Sequence, residues 1–373
     1  MTSKKKPVPD NLELSFNKKI IPTTPPYSPL KLFGPSPDFI NSKRIIGNDY
    51  NPNNYEKIKE YGFINGSFGY HEKNLSSSIE IFKKVYDISQ DSSLRYSVLK
   101  EFQVFYEFNS KYIIGFYMIT NNEDNIVILY EYMNLGSCED ILYKHAGRFP
   151  EKAIIFILKS TIKGLLYLGD EHNLLHRNLK PSNILLSNRG EIRLTDIWPG
   201  NSLTEIVCSK VLPTKIYDPP SKILEDRYSS SSEIWSLGVV LMEFYTGCFP
   251  YPVTWKIEDF LIAFSPYLQG NIEEQERAYS DGNLLPPMEY KKTDDDLNPI
   301  TLFSLIEGIL NGPVPQIPRE CITSYLNQII EECLKKEDTN RFEIEDLDRL
   351  VNKLYPDDSM DLVKFSSYLK KLF

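Results

Sequence analysis

The hydrophobic pattern of the chain changes once, near residue 134, and this change constrains the fold more than any other feature. Before it, short runs of β-branched and aromatic residues are separated by polar turns, a pattern typical of strands. After it, apolar residues recur at helical spacing, for example from Ile154 to Leu166. Strands followed by helices over 373 residues favour the α+β class, as one large domain of two lobes or as two domains.

Charge and cysteine content exclude several classes of protein. The net charge of -9 argues against a nucleic-acid-binding protein, which usually has a basic face. No apolar run is long enough to span a bilayer, so we expect no membrane partner. The five cysteines contain no C-x-x-C pair, which argues against a metal site and a disulfide framework. We therefore expect reduced thiols and a location in the cytoplasm, or else in the nucleus.

The composition also divides the chain into segments. Residues 1–53 are rich in proline and lack periodicity, which predicts a disordered tail. Residues 54–134 are the strand-rich part, and residues 135–354 are the helical part. Within the helical part, residues 251–299 are proline-containing and acidic, which indicates an insert or long loop. The amphipathic stretch at 355–373 predicts a C-terminal helical extension.

The most specific motif lies in the helical part. Residues 176–183 read His-Arg-Asn-Leu-Lys-Pro-Ser-Asn, which resembles the catalytic loop of protein kinases. From about Tyr55 to Leu354 the chain resembles this family, and within it the dual-specificity MAP kinase kinases. The stretches that carry the finer resemblance are 109–117, 180–186, 188–196 and 302–306. The resemblance implies a bilobal protein-kinase fold, with an antiparallel β-sheet N-lobe at 54–134 and a mainly helical C-lobe at 135–354.

Several functional positions of the family are kept. By resemblance, Lys84 pairs the α- and β-phosphates and Glu101 is its helix partner, although a purely structural ion pair is the alternative. Lys180 lies in the catalytic loop, and Asn183 and Asp196 take the positions of the magnesium ligands. The other nucleotide-binding positions of the family are Gly62, Gly66, Glu131, Met133 and Leu185. ATP and Mg²⁺ are therefore the cofactors that the resemblance implies.

The catalytic base of the family is replaced. Asn178 stands where the motif has the Asp that accepts the proton of the substrate hydroxyl. A carboxamide neither takes up this proton nor carries charge at pH 7. The chain thus resembles a degenerate, pseudokinase-like member of the family.

The nucleotide pocket departs from the family at further positions. Ile64 and Ser67 replace two glycines of the Gly-rich loop, and Gly69 is aligned with the valine that covers the adenine. Phe82 replaces a small alanine against the adenine face, and overpacking of a fitted pocket costs about 1–3 kcal/mol. The remaining departures are Tyr130 at the gatekeeper position and Ile197-Trp198 after Asp196. Together they predict weak or absent binding of ATP and Mg²⁺.

The activation segment lacks the phosphorylation sites of the family. Counting from Asp196 puts Ile206 and Lys210 at the two positions that MAP kinase kinases phosphorylate, and neither side chain accepts phosphate. Ser221 replaces the Glu of Ala-Pro-Glu, so we expect Arg341 to lack its usual partner. These changes predict that phosphorylation of this segment does not switch the protein.

The tail contains a candidate docking motif. Lys4, Lys5 and Lys6 are followed by Leu12 and Leu14, a pattern that resembles the segment by which MAP kinase kinases hold MAP kinases. Clustered lysines suit an acidic patch, and two alternating apolar side chains suit a groove. A basic tail without a partner is the alternative. We call residues 4–14 the docking motif.

Together these features predict a MAP kinase kinase-like pseudokinase that acts as a binding or allosteric component of a MAP kinase cascade. Its expected partners are a MAP kinase, through the docking motif, and an upstream MAP kinase kinase kinase or a scaffold. The alternative is a slow but active MAP kinase kinase, because loss of a general base costs about 10²–10⁴ in rate and kinases start from about 1–100 s⁻¹.

Overall fold

The computed structural model describes eleven ranges of the chain, all within one compact unit, Leu32–Phe373. The ranges are 50–64, 67–88, 94–121, 124–145, 147–199, 216–225, 227–247, 249–251, 302–317, 322–356 and 362–372. Outside them lie the docking motif, Gly66, the two activation-segment positions Ile206 and Lys210, and nearly all of the 251–299 insert. Those predictions therefore stay predictions.

The strand-rich part forms one antiparallel sheet of five strands, in the order β1-β2-β3-β5-β4. The strands are β1 (Tyr55–Ile64), β2 (Ser67–Asn74), β3 (Glu80–Asp87), β4 (Phe116–Asn121) and β5 (Asn125–Glu131). β5 is buried from Ile126 to Tyr130, because one of its faces packs in the main apolar core and the other in a second apolar cluster. Burial of both faces explains its continuous apolar run.

A short helix, α1 (Leu94–Glu101), continues into a 3₁₀ turn at Phe102–Glu107 and packs against this sheet. The Phe102 and Phe105 rings stack at 4.7 Å, and Phe105 lies 5.4 Å from Phe116 of β4. These aromatic contacts bury the apolar side of the turn, and they fix α1 beside the sheet.

The second part is mainly helical, with one small sheet of order β6-β7-β8. Its strands are β6 (Gly136–Ser137), β7 (Ile184–Leu186) and β8 (Ile192–Leu194). Its described helices are α2 (Cys138–His145), α3 (Glu151–His172), α4 (Pro220–Glu225), α5 (Ser230–Thr246), α6 (Leu302–Asn311), α7 (Ser324–Cys333), α8 (Ile344–Leu354) and α9 (Leu362–Leu372). Helix α5 is buried along its whole length, so it forms the centre of this part.

The last helix, α9, is part of the core. Phe365 is fully buried and its ring lies 4.5 Å from that of Phe156 on α3. Ser366 Oγ donates to the carbonyl of Asn188 in the β7–β8 turn at 2.8 Å. Gly190 ends this turn at a φ of +83°, and a Cβ there would lie 2.6 Å from the carbonyl oxygen of Leu362. Only glycine therefore allows this close approach.

The architecture confirms the predicted α+β fold, with an antiparallel sheet in the N-lobe and a mainly helical C-lobe. In the part of the chain that the structure describes, no helix is both long enough and apolar enough to cross a bilayer.

Candidate functional site

The loop at 173–183 is held by backbone hydrogen bonds and two left-handed residues. Asn173 ends α3 at a φ of +51°, and Arg177 has a φ of +63°. The amide of Trp198 donates to the carbonyl of His176 at 3.1 Å, and the amide of Asn183 donates to Lys180 O at 2.9 Å. These bonds bring the loop against the segment that follows β8. Burial lowers the pKa of His176 to about 4, so its ring is neutral at pH 7.

Asn178 lies in the middle of this loop and is buried. Its Nδ2 lies 3.4 Å from the backbone carbonyl oxygen of Asp196, in a long donor contact. The backbone carbonyl of Asn178 accepts a hydrogen bond of 2.6 Å from Nδ2 of Asn183. An ionised carboxylate at position 178 could not donate to Asp196 O, because it only accepts hydrogen bonds. The carboxamide thus makes a contact that the family's aspartate could not make.

Lys84 and Asp196 form a buried ion pair between β3 and the segment after β8. Their side chains are 5% and 3% exposed. Asp196 adopts a left-handed φ of +55°, which aims its carboxylate into the cleft between the lobes. Among the ion pairs of the described residues, Lys84 has Asp196 and not Glu101 as its partner. The predicted pairing of Lys84 with Glu101, the last residue of α1, is not among the ion pairs of the described residues.

Lys180 and Glu139 lie close enough for each charge to shift the pKa of the other. Burial lowers the pKa of Lys180, while the carboxylates of Asp196 and Glu139 oppose this shift. Burial raises the pKa of Glu139, and Lys180 opposes it. The two shifts agree in describing a partly desolvated, oppositely charged pair.

Aromatic side chains form the upper wall of this cleft, which encloses about 730 Å³ of open space including its mouth. The Phe82 ring meets Tyr61 edge to face at 5.5 Å, and the hydroxyls of Tyr61 and Tyr132 are 3.2 Å apart. Phe82 therefore lines the cleft, as its position on β3 predicts. The other described lining residues include Ile114, Tyr130, Met133, Leu185 and Thr195.

His71 packs against Tyr132 of this aromatic wall and was not singled out from the sequence. The strand register places His71, rather than Gly69, opposite Phe82, whereas Gly69 lies opposite Lys84. The His71 ring stacks on Tyr132 with centroids 3.5 Å apart, and its Nε2 lies 3.1 Å from Glu80. The signal that could have found it is the count of residues from Phe82 back through the β2–β3 turn.

At the connection between the lobes, Glu131 is held by Arg193 of β8. Glu131 Oε2 accepts from the Gly115 amide at 3.2 Å and lies 3.4 Å from Arg193 Nε. Arg193 is 2% exposed and also bonds to Lys111 O and Glu191. The carbonyl of Met133 accepts from the Gly136 amide at 3.1 Å. The Glu131 side chain therefore points away from the cleft mouth and toward β8.

The segment after Asp196 is anchored in the core. Ile197 and Trp198 are 1% and 6% exposed. Both side chains belong to the main apolar core of the protein. A glycine at position 198 would lack this anchor, so the substitution replaces a flexible position by a fixed one.

Arg341, which lacks the glutamate of the family, has other partners in the structure. Its guanidinium donates to the carbonyls of Lys335 at 2.9 Å, Lys336 at 3.1 Å and Ser231 at 2.8 Å. It also pairs with Asp338 at 2.9 Å and lies 5.2 Å from the Trp235 ring. Backbone carbonyls thus replace the missing glutamate, because a guanidinium has five N–H donors to place.

Glu233, at the start of α5, is hydrogen-bonded to the catalytic loop. Its Oε1 accepts from the Arg177 amide at 2.7 Å and from the Tyr228 hydroxyl at 3.2 Å. Burial raises the pKa of this carboxyl to about 7, against the stabilising hydrogen bonds from Arg177 and Tyr228. The glutamate therefore connects the start of α5 to the catalytic loop.

The structure brings together five of the predicted site residues: Lys84, Asn178, Lys180, Asn183 and Asp196. Gly62 in β1 has a φ of +73°, a backbone conformation that favours glycine. No atom lies within 4 Å of the position that a Cβ would take there. The sequence model of the protein kinase domain matches residues 55–350, which is more than half of the chain. Kinase domains generally bind ATP and Mg²⁺ at the equivalent cleft. This chain belongs to the protein kinase family.

Proposed function

We propose that this protein is a MAP kinase kinase-like pseudokinase, acting as a binding or allosteric component of a MAP kinase cascade. The observation that carries the proposal is Asn178, a buried carboxamide whose Nδ2 lies within donor reach of Asp196 O at 3.4 Å. The proton of a substrate hydroxyl has no acceptor base at this position.

The cleft also fits Mg²⁺ and ATP poorly. The carboxylate that a metal ion would need is already neutralised by Lys84, in a pair that is almost fully buried. Lys84 is also the ammonium that phosphates would need. To bind both groups, the cleft has to separate this buried pair, and the new contacts with phosphate and metal must first offset the loss of the existing one.

The proposal assigns the signalling role to surfaces other than the cleft. Ile206 and Lys210 cannot be phosphorylated, and Trp198 holds the start of the activation segment in the core. The docking motif needs only its lysine charges and two leucines, so binding of a MAP kinase does not depend on catalysis. An upstream MAP kinase kinase kinase or a scaffold is the second partner class of this proposal.

A slow MAP kinase kinase is the second candidate, and one observation favours it. The Thr195 amide donates to Asn183 O at 3.0 Å, so the two metal-ligand positions of the family, 183 and 196, remain adjacent. Lys84 and Lys180 are also present. If an ATP–magnesium complex separates the Lys84–Asp196 pair, positioning alone supports some phosphotransfer.

The test is phosphotransfer to candidate MAP kinases by the full-length protein. We expect no transfer above that of the Lys84→Met variant, which lacks the ammonium. Robust phosphorylation by the wild type, lost on Lys84→Met, would establish the second candidate instead.

A further inference from the structure

The cations around the cleft are already matched by carboxylates. Lys84 is the one basic side chain among the described residues that line the cleft, and Asp196 binds it. Lys180, which is not among the lining residues, lies in the field of Asp196 and Glu139. A phosphate chain entering the cleft would therefore meet no cation whose charge is not already balanced.

Acidic side chains belong to the lining of the cleft. They are Glu139 and Asp140, at the start of α2. The Asp140 carboxylate is fixed there, since Oδ2 accepts from the amide and the hydroxyl of Ser137 at 2.8 and 2.6 Å. Negative charge fixed on the cleft lining repels a polyphosphate.

The walls, by contrast, are well suited to a flat apolar ring. Aromatic rings supply large planar surfaces that stack on one another face to face or meet edge to face. The aromatic and aliphatic lining residues are Tyr61, Phe82, Ile114, Tyr130, Tyr132, Met133 and Leu185. These side chains also contact one another, because the Tyr61 ring packs against Phe82 and the Tyr61 hydroxyl is hydrogen-bonded to that of Tyr132.

We infer that this cleft binds an uncharged, flat aromatic ligand in preference to a nucleoside triphosphate. The inference rests on the proposed function, since an active kinase has to favour the triphosphate. Lys84 and Asp196 stay paired while such a ligand occupies the aromatic wall, so binding needs neither phosphate nor Mg²⁺.

The experiment titrates the full-length protein with adenosine, AMP, ADP and ATP by calorimetry, with and without Mg²⁺. We expect adenosine to bind most tightly and ATP at least about tenfold more weakly, a difference that calorimetry resolves readily. Tighter binding of ATP with Mg²⁺ than of adenosine would overturn the inference. So would the absence of measurable adenosine binding.

The variant Asp196→Asn is expected to change ATP affinity in opposite directions in the cleft proposed here and in a cleft that binds ATP through a metal ion. Here it frees the Lys84 ammonium, so metal-free ATP is expected to bind about tenfold more tightly while adenosine binding is unchanged. In a cleft that holds ATP through a metal ion, the same change removes a ligand and weakens ATP binding in Mg²⁺, which would contradict us.

Two further variants keep this test secure. Asp346→Asn, in a solvent-exposed pair with Arg349 on α8, is the matched control and is expected to change neither affinity. If Asp196→Asn does not fold, Asp140→Asn in the cleft lining is expected to raise ATP affinity in a salt-sensitive way, and an unchanged affinity would count against the inference. The affinity order is measured without phosphotransfer, so failure here is distinguishable from failure of the proposed function.

Discussion

The buried carboxyl of Glu233 predicts a specific dependence of stability on pH. Its pKa is about 7 in the folded protein, against an ordinary value of 4.5. Between these two pH values the folded protein holds a proton that the unfolded chain has released, so the free energy of unfolding falls as the pH rises. Each pKa unit corresponds to about 1.4 kcal/mol, so the total loss is about 3 kcal/mol once the pH exceeds the folded pKa.

The perturbation is Glu233→Gln, which keeps an oxygen that can accept from the Arg177 amide and the Tyr228 hydroxyl. A glutamine does not titrate, so the variant lacks this loss. We expect its free energy of unfolding, relative to the wild type, to increase by about 2.5 kcal/mol between pH 5 and pH 8, because part of the loss has already occurred at pH 5. His176 and Glu243 titrate in both proteins, and their contributions cancel in the difference.

The assay is denaturant unfolding of both proteins at several pH values, with the exposed Glu345→Gln on α8 as matched control. Parallel curves for the wild type and Glu233→Gln would refute the reasoning. That result would mean that Glu233 is ionised throughout the range, and that its two hydrogen bonds offset its burial completely.

Three other perturbations have expected outcomes. Asn178→Asp alone should lower the free energy of unfolding by about 1–3 kcal/mol, because a buried carboxylate replaces the donor to Asp196 O. An unchanged or higher melting temperature would contradict this. Gly190→Ala should cost about 2–4 kcal/mol, since a Cβ there lies 2.6 Å from a backbone oxygen of α9, whereas Gly169→Ala on α3, with nothing within 4 Å, should not destabilise. A peptide of residues 1–21 should bind a MAP kinase; Ala at both docking leucines should raise the dissociation rate, and neutral docking lysines should mainly slow association at low salt. If no MAP kinase of the same organism binds the peptide at low salt, the docking proposal fails.

The order of the lobes was predictable because it depends on local patterns. Strand-like runs before residue 134 and helical spacing after it are set by neighbouring residues, and the structure has β5 and α3 at those places. The catalytic loop was predictable for a different reason, since its spacing is nearly that of the family motif.

Contacts between distant residues were not predictable in the same way. Lys84 and Asp196 are 112 residues apart, and the sequence favoured Glu101 because it is the family's partner. Which carboxylate wins depends on the position of α1 and on the left-handed turn at Asp196, both of which are tertiary features. Arg341 shows the same limit, because backbone carbonyls that satisfy a guanidinium have no signature in side-chain identity.

The docking of α9 has a practical consequence for recombinant work. A fragment that stops at residue 350, where the family match ends, would lack Phe365, Tyr368 and Leu369, all of them buried. It would also expose Phe156 on α3 and the turn at Asn188, so the purified fragment would have an exposed apolar surface that promotes aggregation. Such a fragment is expected to precipitate or to elute as soluble aggregate, so ligand screens and crystallisation trials require the chain at least to Leu372.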